Sequence, residues 1–98
     1  MPAYTYEDAV KAVDAMVEAR ATFYDTYNRT HLIPIMGKYG GYERVSLLLE
    51  KSMAEAEGKP FIITEEFMNH INDQTAMYEQ GTEELKRKWG FVYDKCGN

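Results

Sequence analysis

The sequence predicts an all-α fold: a small elongated three-helix bundle in which two long helices flank one shorter one. Three observations carry this. Apolar residues recur at spacings of three and four in three separate segments, and no run alternates with the period of two that a half-buried strand requires. Each segment is bracketed by residues that start or stop helices. The chain has 98 residues, 45% of them hydrophobic and 28% charged, which fits one ordered domain, residues 1–98, around a single modest core.

The first helix is predicted over about 6–31. Thr5 is a good N-cap, Glu7 and Asp8 fall in the first turn, where the positive helix end favours carboxylates, and Asp8 occupies the reciprocal capping position. Polar residues then form one stripe, Glu7, Lys11, Asp14, Glu18, Thr22, Asp25 and Arg29. Opposite lies a wide apolar arc that includes Val13, Met16, Phe23, Tyr24 and Tyr27, broad enough for two neighbours. The Ile33-Pro34 bond disfavours helical geometry and ends the segment. Residues 32–41 form an irregular joint in which Gly37, Gly40 and Gly41 accompany Met36 and Tyr39, with Leu32, Ile33 and Ile35 expected to tuck against the end of the bundle.

The second helix is predicted over about 42–57. Val45, Leu48, Leu49, Ser52, Met53 and Ala56 share one face, which reads as the plainest core face in the chain, and Gly58 and Pro60 stop it. The third is predicted over about 65–89, capped by Thr64 with Ile63 placed to staple onto Met68. Phe67, Ile71, Tyr78, Leu85 and Trp89 follow a heptad-like line, and Gly81 followed by Thr82 marks a possible kink. Residues 90–98 are left as a C-terminal tail.

Long helices beside a short one must project beyond it. A compact chain of this length has a radius of gyration near 13 Å, whereas helices of about 25 residues are about 38 Å long. With the first and third helices parallel, Phe23, Tyr24 and Tyr27 come near the level of Trp89, Phe91 and Tyr93, and a homodimer is expected to cover this aromatic cluster.

The charge balance narrows the function. A formal net charge of −5 argues against direct binding to nucleic acid, which is driven by neutralising phosphates, and the dense cationic run Lys86-Arg87-Lys88 fits the last turn of a helix. A lone cysteine, Cys96, builds no disulfide framework, and the sequence shows neither a leader pattern nor a membrane-spanning run, so a cytoplasmic protein without membrane contact is expected.

Catalytic chemistry is hard to assemble from these residues. A phosphate loop needs glycine five positions before its Gly-Lys pair and a hydroxyl residue after it; Gly37-Lys38 has Leu32 and Tyr39 there instead. Glu66, His70 and Asp73 share a helix face, but a bundle metal site requires further ligands from a second helix, and a solvated polar face explains them, so no metal and no cofactor are expected. Cys96, His31 and His70 have no evident reason to converge. A non-enzyme is expected.

The leading expectation is a protein-interaction module acting on a macromolecular protein partner, with Met36, Tyr39, Tyr42, Trp89, Phe91 and Tyr93 as contact residues, because Tyr, Trp and Met are enriched at the centres of interfaces. An alternative is an acidic inhibitor that imitates nucleic acid through Glu65, Glu66, Asp73, Glu79, Glu83 and Glu84. A second alternative is a small-ligand site between helices lined by Met and Tyr.

Overall fold

The computed structural model describes residues 4–33 and 41–96, over 91–96 the backbone alone. Three helices follow in chain order: α1, Tyr6–Thr30; α2, Tyr42–Ala56; and α3, Glu65–Cys96. The bundle is elongated, with a radius of gyration of 17.0 Å and extents of 54 × 24 × 16 Å.

The starts of both long helices follow from their caps. Thr5 Oγ1 accepts from the Asp8 N–H at 3.1 Å while Asp8 Oδ2 accepts from the Thr5 N–H at 2.9 Å, the reciprocal capping box. Thr64 Oγ1 accepts from the Phe67 N–H at 3.0 Å. Ile63 and Met68, the staple positions across that cap, are both buried in the main core.

α1 and α3 run parallel and form the spine. Tyr6 packs edge-on against Phe61 just before α3, Phe23 meets Tyr78, and His31 at the end of α1 meets Trp89. The lower half of this spine holds the core: Ala9, Val13 and Met16 from α1, Met68 and Ile71 from α3, with Ile63 and Leu47. The upper half is joined by small and hydroxylic residues. Ala19, Thr26, Thr30 and Thr82 are buried there, and three threonine hydroxyls return to their own helix, Thr26 to the Thr22 carbonyl, Thr30 to the Tyr27 carbonyl and Thr82 to the Tyr78 carbonyl. Bonded in this way, they reach the helix interface without an unpaired polar group.

α2 runs antiparallel to α1 and covers only the lower half. Its first residues stand level with Val17 and Arg20, and Lys51, further along, lies 5.1 Å from the centre of the Tyr6 ring. Its backbone approaches α1 but its Cα trace does not come within 8 Å of that of α3, and Leu47 reaches the core that α1 and α3 share.

Three sequence expectations need correction. α3 is helical through Gly81, where the close approach of Phe23 leaves no room for a side chain: an added Cβ would lie 2.7 Å from Phe23 Cε1. Thr82 therefore faces the interface and bonds back to Tyr78 rather than capping a new helix. The departure from helical geometry falls at Trp89 (φ −125°, ψ 21°), directly after the Lys86-Arg87-Lys88 run, and helix resumes to Cys96 in place of a tail beginning at residue 90. Leu32 and Ile33 do not tuck in; both are exposed. Ile35, Gly37 and Gly40 lie outside the described residues.

Leu32 instead has a backbone role. α1 ends in a Schellman turn, the Ile33 N–H donating to the Asn28 carbonyl at 2.8 Å and Leu32 sitting in the left-handed region at φ 56°. α2 ends in the same motif, the Lys59 N–H donating to the Ala54 carbonyl at 2.8 Å, but there Gly58 holds the left-handed position at φ 70°. The same turn is thus made once with glycine and once against the steric preference of a leucine side chain. Leu32→Gly is expected to raise stability to urea by up to about 1 kcal/mol and Gly58→Ala to lower it by about 1 kcal/mol, opposite signs at matched positions. Equal signs in equilibrium urea titrations would contradict this account.

Candidate protein-binding surface

The rotation of α2 about its own axis decides which side chains meet solvent. Glu43, Leu47, Lys51 and Ala54, spaced by four, four and three, form its inner face. Only Leu47 among them is a large apolar side chain, and it is 4% exposed within the shared core. Glu43 is held by Arg20 of α1 in a two-pronged pair, Nη1 to Oε2 at 2.7 Å and Nη2 to Oε1 at 3.0 Å. Such planar fork-to-fork pairing fixes orientation as well as distance. The pairing raises the Arg20 pKa and lowers that of Glu43, in both cases through the mutual hydrogen bond first. Tyr78 of α3 adds a smaller contribution in the same direction to the raised Arg20 pKa.

The consequence reverses the core face read from the sequence. Tyr42, Val45, Leu48, Leu49 and Met53 point to solvent, Leu49 at 58% exposure and Tyr42 at 82%. They occupy the side of α2 opposite Glu43, Leu47 and Ala54, as a stripe at spacings of three and four. The physical reason is that the core is already closed: Tyr4, Tyr6, Phe61 and Phe67 pack around its rim and leave a place for one α2 side chain, Leu47. Periodicity identified the apolar face of this helix correctly but not what lies against it.

The other expected contact residues are distributed as follows. Tyr42 opens the exposed stripe. Trp89, 38% exposed, closes one end of a cleft of about 550 Å³ between α1 and α3, whose walls include Phe23, Tyr27, His31 and Leu85. Its aromatics contact one another: Tyr27 stacks on His31 with ring centres 4.1 Å apart, and Phe23 meets Tyr24 and Tyr78 at 5.4 and 5.7 Å. The parallel helices thus bring Trp89 to the level of Tyr27 as the sequence implies. Phe91 and Tyr93 lie on the backbone of α3, and their side chains, like the whole of Met36 and Tyr39, are outside the described residues.

All six carboxylates of the acidic face, Glu65, Glu66, Asp73, Glu79, Glu83 and Glu84, are exposed on α3. They extend over about 28 Å of helix, roughly one charge per 5 Å, against about one per 1.7 Å of duplex axis in DNA. Glu79 and Glu83 line a second cleft of about 390 Å³ together with Glu18 and Lys86, whereas Glu84 faces the aromatic cleft on the other side. Glu66, His70 and Asp73 are exposed, and among the described residues no three His, Cys, Asp or Glu side chains are placed to hold a metal ion. No helix among the described residues is long and apolar enough to cross a membrane.

Comparison of the chain with protein-family models, with curated proteins and with solved structures returns no match. Any functional reading therefore rests on the surface itself.

The Arg20–Glu43 pair predicts a pH signature. Because the pKa of Glu43 is lowered in the fold, its contribution to stability is present above its unfolded value, near 4.5, and is lost as pH falls through the lowered folded value. Glu43→Gln should cost about 1–2 kcal/mol at pH 7, and the gap between wild type and variant should narrow as pH falls below that unfolded value. Urea titrations at pH 7, 5 and 3.5 check this; a gap that is independent of pH would contradict it.

Proposed function

We propose that the chain is a protein-interaction module without catalytic activity, working in the cytoplasm and binding a macromolecular protein partner through the outer face of α2. The observation that carries this reading is the solvent-facing stripe of Tyr42, Val45, Leu48, Leu49 and Met53 on a helix whose polar side is the one docked. A contiguous apolar patch of this kind on a small chain marks an interaction site, because isolated exposed apolar residues are ordinary but an aligned row is not. Tyr and Met within the stripe are residue types enriched at interface centres. The partner replaces the neighbour that a bundle normally places over such a face.

Two features favour this reading over its alternatives. The acidic face is sparse in charge, and Glu79 and Glu83 face a different cleft from Glu84, which supports imitation of nucleic acid less well than a continuous row would. The aromatic cleft is lined by rings already in contact with one another, so a small ligand would compete with existing packing. Trp89 and the residues beyond it then form at most an accessory contact.

Affinity capture from the native cell with the whole chain tests the reading. Val45→Glu with Leu49→Glu should lower recovery of the specific partner at least tenfold while the far-ultraviolet circular dichroism stays helical, since both residues are exposed. Recovery should persist between about 0.15 and 0.5 M salt, over which exposed charge pairs are largely screened. Capture unaffected by the double variant, or abolished by salt alone, would defeat the proposal, and the salt-sensitive result would favour the acidic face.

A further inference from the structure

Resting on the reading that the outer face of α2 is the binding surface, we propose that its occupant is the same face of a second copy of this chain, the two α2 helices packing antiparallel about a two-fold axis near Leu49. The argument comes from how charge is placed beside the apolar stripe. Arg44 and Glu55 both lie along one flank of it, eleven positions apart in the sequence. Eleven residues are close to three helical turns, so the two are about 20° apart around the helix and about 16 Å apart along it. Their midpoint falls between Leu49 and Glu50.

An antiparallel pair related by a two-fold axis brings equal flanks together with reversed order. Arg44 of each copy then stands opposite Glu55 of the other, and the contact occurs twice, as a self-complementary interface requires. The same operation sets Leu49 beside Leu49 and Val45 beside Met53, matching apolar with apolar along the stripe. Glu50 lies on the opposite flank, about 100° around the helix from Leu49, and the same operation sets it level with its counterpart, a like-charge contact that the apolar row and the two Arg44–Glu55 pairs must outweigh.

Arg44 and Glu55 are available for this. Arg44 is more than half exposed and its intrachain contact with Asp14 is long, 3.7 Å. Glu55, also largely exposed, accepts from Lys51 at 2.7 Å through one oxygen, Oε1. A guanidinium has five donors and a carboxylate several acceptor sites, so each can serve both partners. One helix face is smaller than the roughly 800 Å² per partner of standard stable complexes, so a weak and reversible dimer is expected.

Sedimentation equilibrium of the whole chain from about 1 to 500 µM tests the proposal. The wild type should dimerise within this range, and Leu49→Glu should remain monomeric throughout while keeping its helical spectrum. Arg44→Glu alone and Glu55→Arg alone should each weaken dimerisation about tenfold, and the combined Arg44→Glu/Glu55→Arg chain should return to within about threefold of wild type. Within one chain the combined variant still sets like charges against Asp14 and Lys51, so its recovery reports pairing across the two-fold axis. A monomer at 500 µM, dimerisation indifferent to Leu49→Glu, or no recovery in the combined variant overturns the proposal. A monomer whose capture of a different protein still depends on Leu49 overturns the second copy as occupant and leaves the interaction module standing; a monomer with no such capture removes both.

Discussion

The bidentate pair between Arg20 and Glu43 is the constraint on which the rest of the surface depends. It joins the middle of α1 to the first turn of α2 with two short charge-assisted bonds. A pair of this kind contributes about 1–3 kcal/mol. Burying a leucine, valine or methionine side chain contributes about 1.5–3 kcal/mol each. The α2 stripe holds four such residues and a tyrosine, so the apolar term left unrealised in a single chain exceeds the polar term that fixes its rotation. A half-turn of α2 would withdraw Leu47 from the core and break the pair between Glu43 and Arg20. Among the described residues the stripe stays exposed.

The two halves of the spine differ in what holds them. Below, seven buried apolar residues from all parts of the fold form one core. Above, α1 and α3 meet through alanine, threonine and glycine, which allow close helix approach but bury little apolar area. Aromatic rings compensate from the side: Phe23 lies over Gly81, and Tyr78, Tyr24 and Tyr27 surround it. The upper half should therefore be the less stable one, with local opening easier near His31 and Trp89 than near Val13 and Ile71. The clefts on either side of the α1–α3 seam follow from the same geometry, since two helices without a third leave a groove on each side.

What was legible in the sequence was what depends on neighbours in the chain. Thr5 with Asp8, Thr64 with Phe67, and Gly58 after α2 act within one turn, and the structure places each where local chemistry indicates. The number of helices, their bounds to within a residue or two through position 65, and the elongated shape follow from the same signals. What was not legible depends on distant residues. Arg20 and Glu43 are 23 positions apart, and nothing in either segment marks them as partners. Gly81 reads as a weak point in isolation; opposite Phe23 it is the residue that lets two helices touch. Leu32 carries no signal for a left-handed turn, a position usually given to glycine. For the candidate surface, Tyr42 is exposed, as a residue at the end of an irregular joint can be, whereas Val45, Leu48, Leu49 and Met53 read as core in the sequence because an apolar stripe does not say what lies against it.

That ambiguity also separates the two apolar regions as binding sites. The aromatic cluster at the projecting end looks adhesive by composition, yet its rings are engaged with one another, and Trp89, Tyr24 and Tyr27 remain only about a third exposed. A partner arriving there gains the outer edges of side chains already partly buried. On α2 Tyr42, Val45, Leu48, Leu49 and Met53 are each more than half exposed and stand on one helix. The gain per residue on association is therefore larger on α2, and the ordering cost is smaller because the helix that presents them is already formed and held by Arg20. The larger exposed apolar area per residue lies on α2.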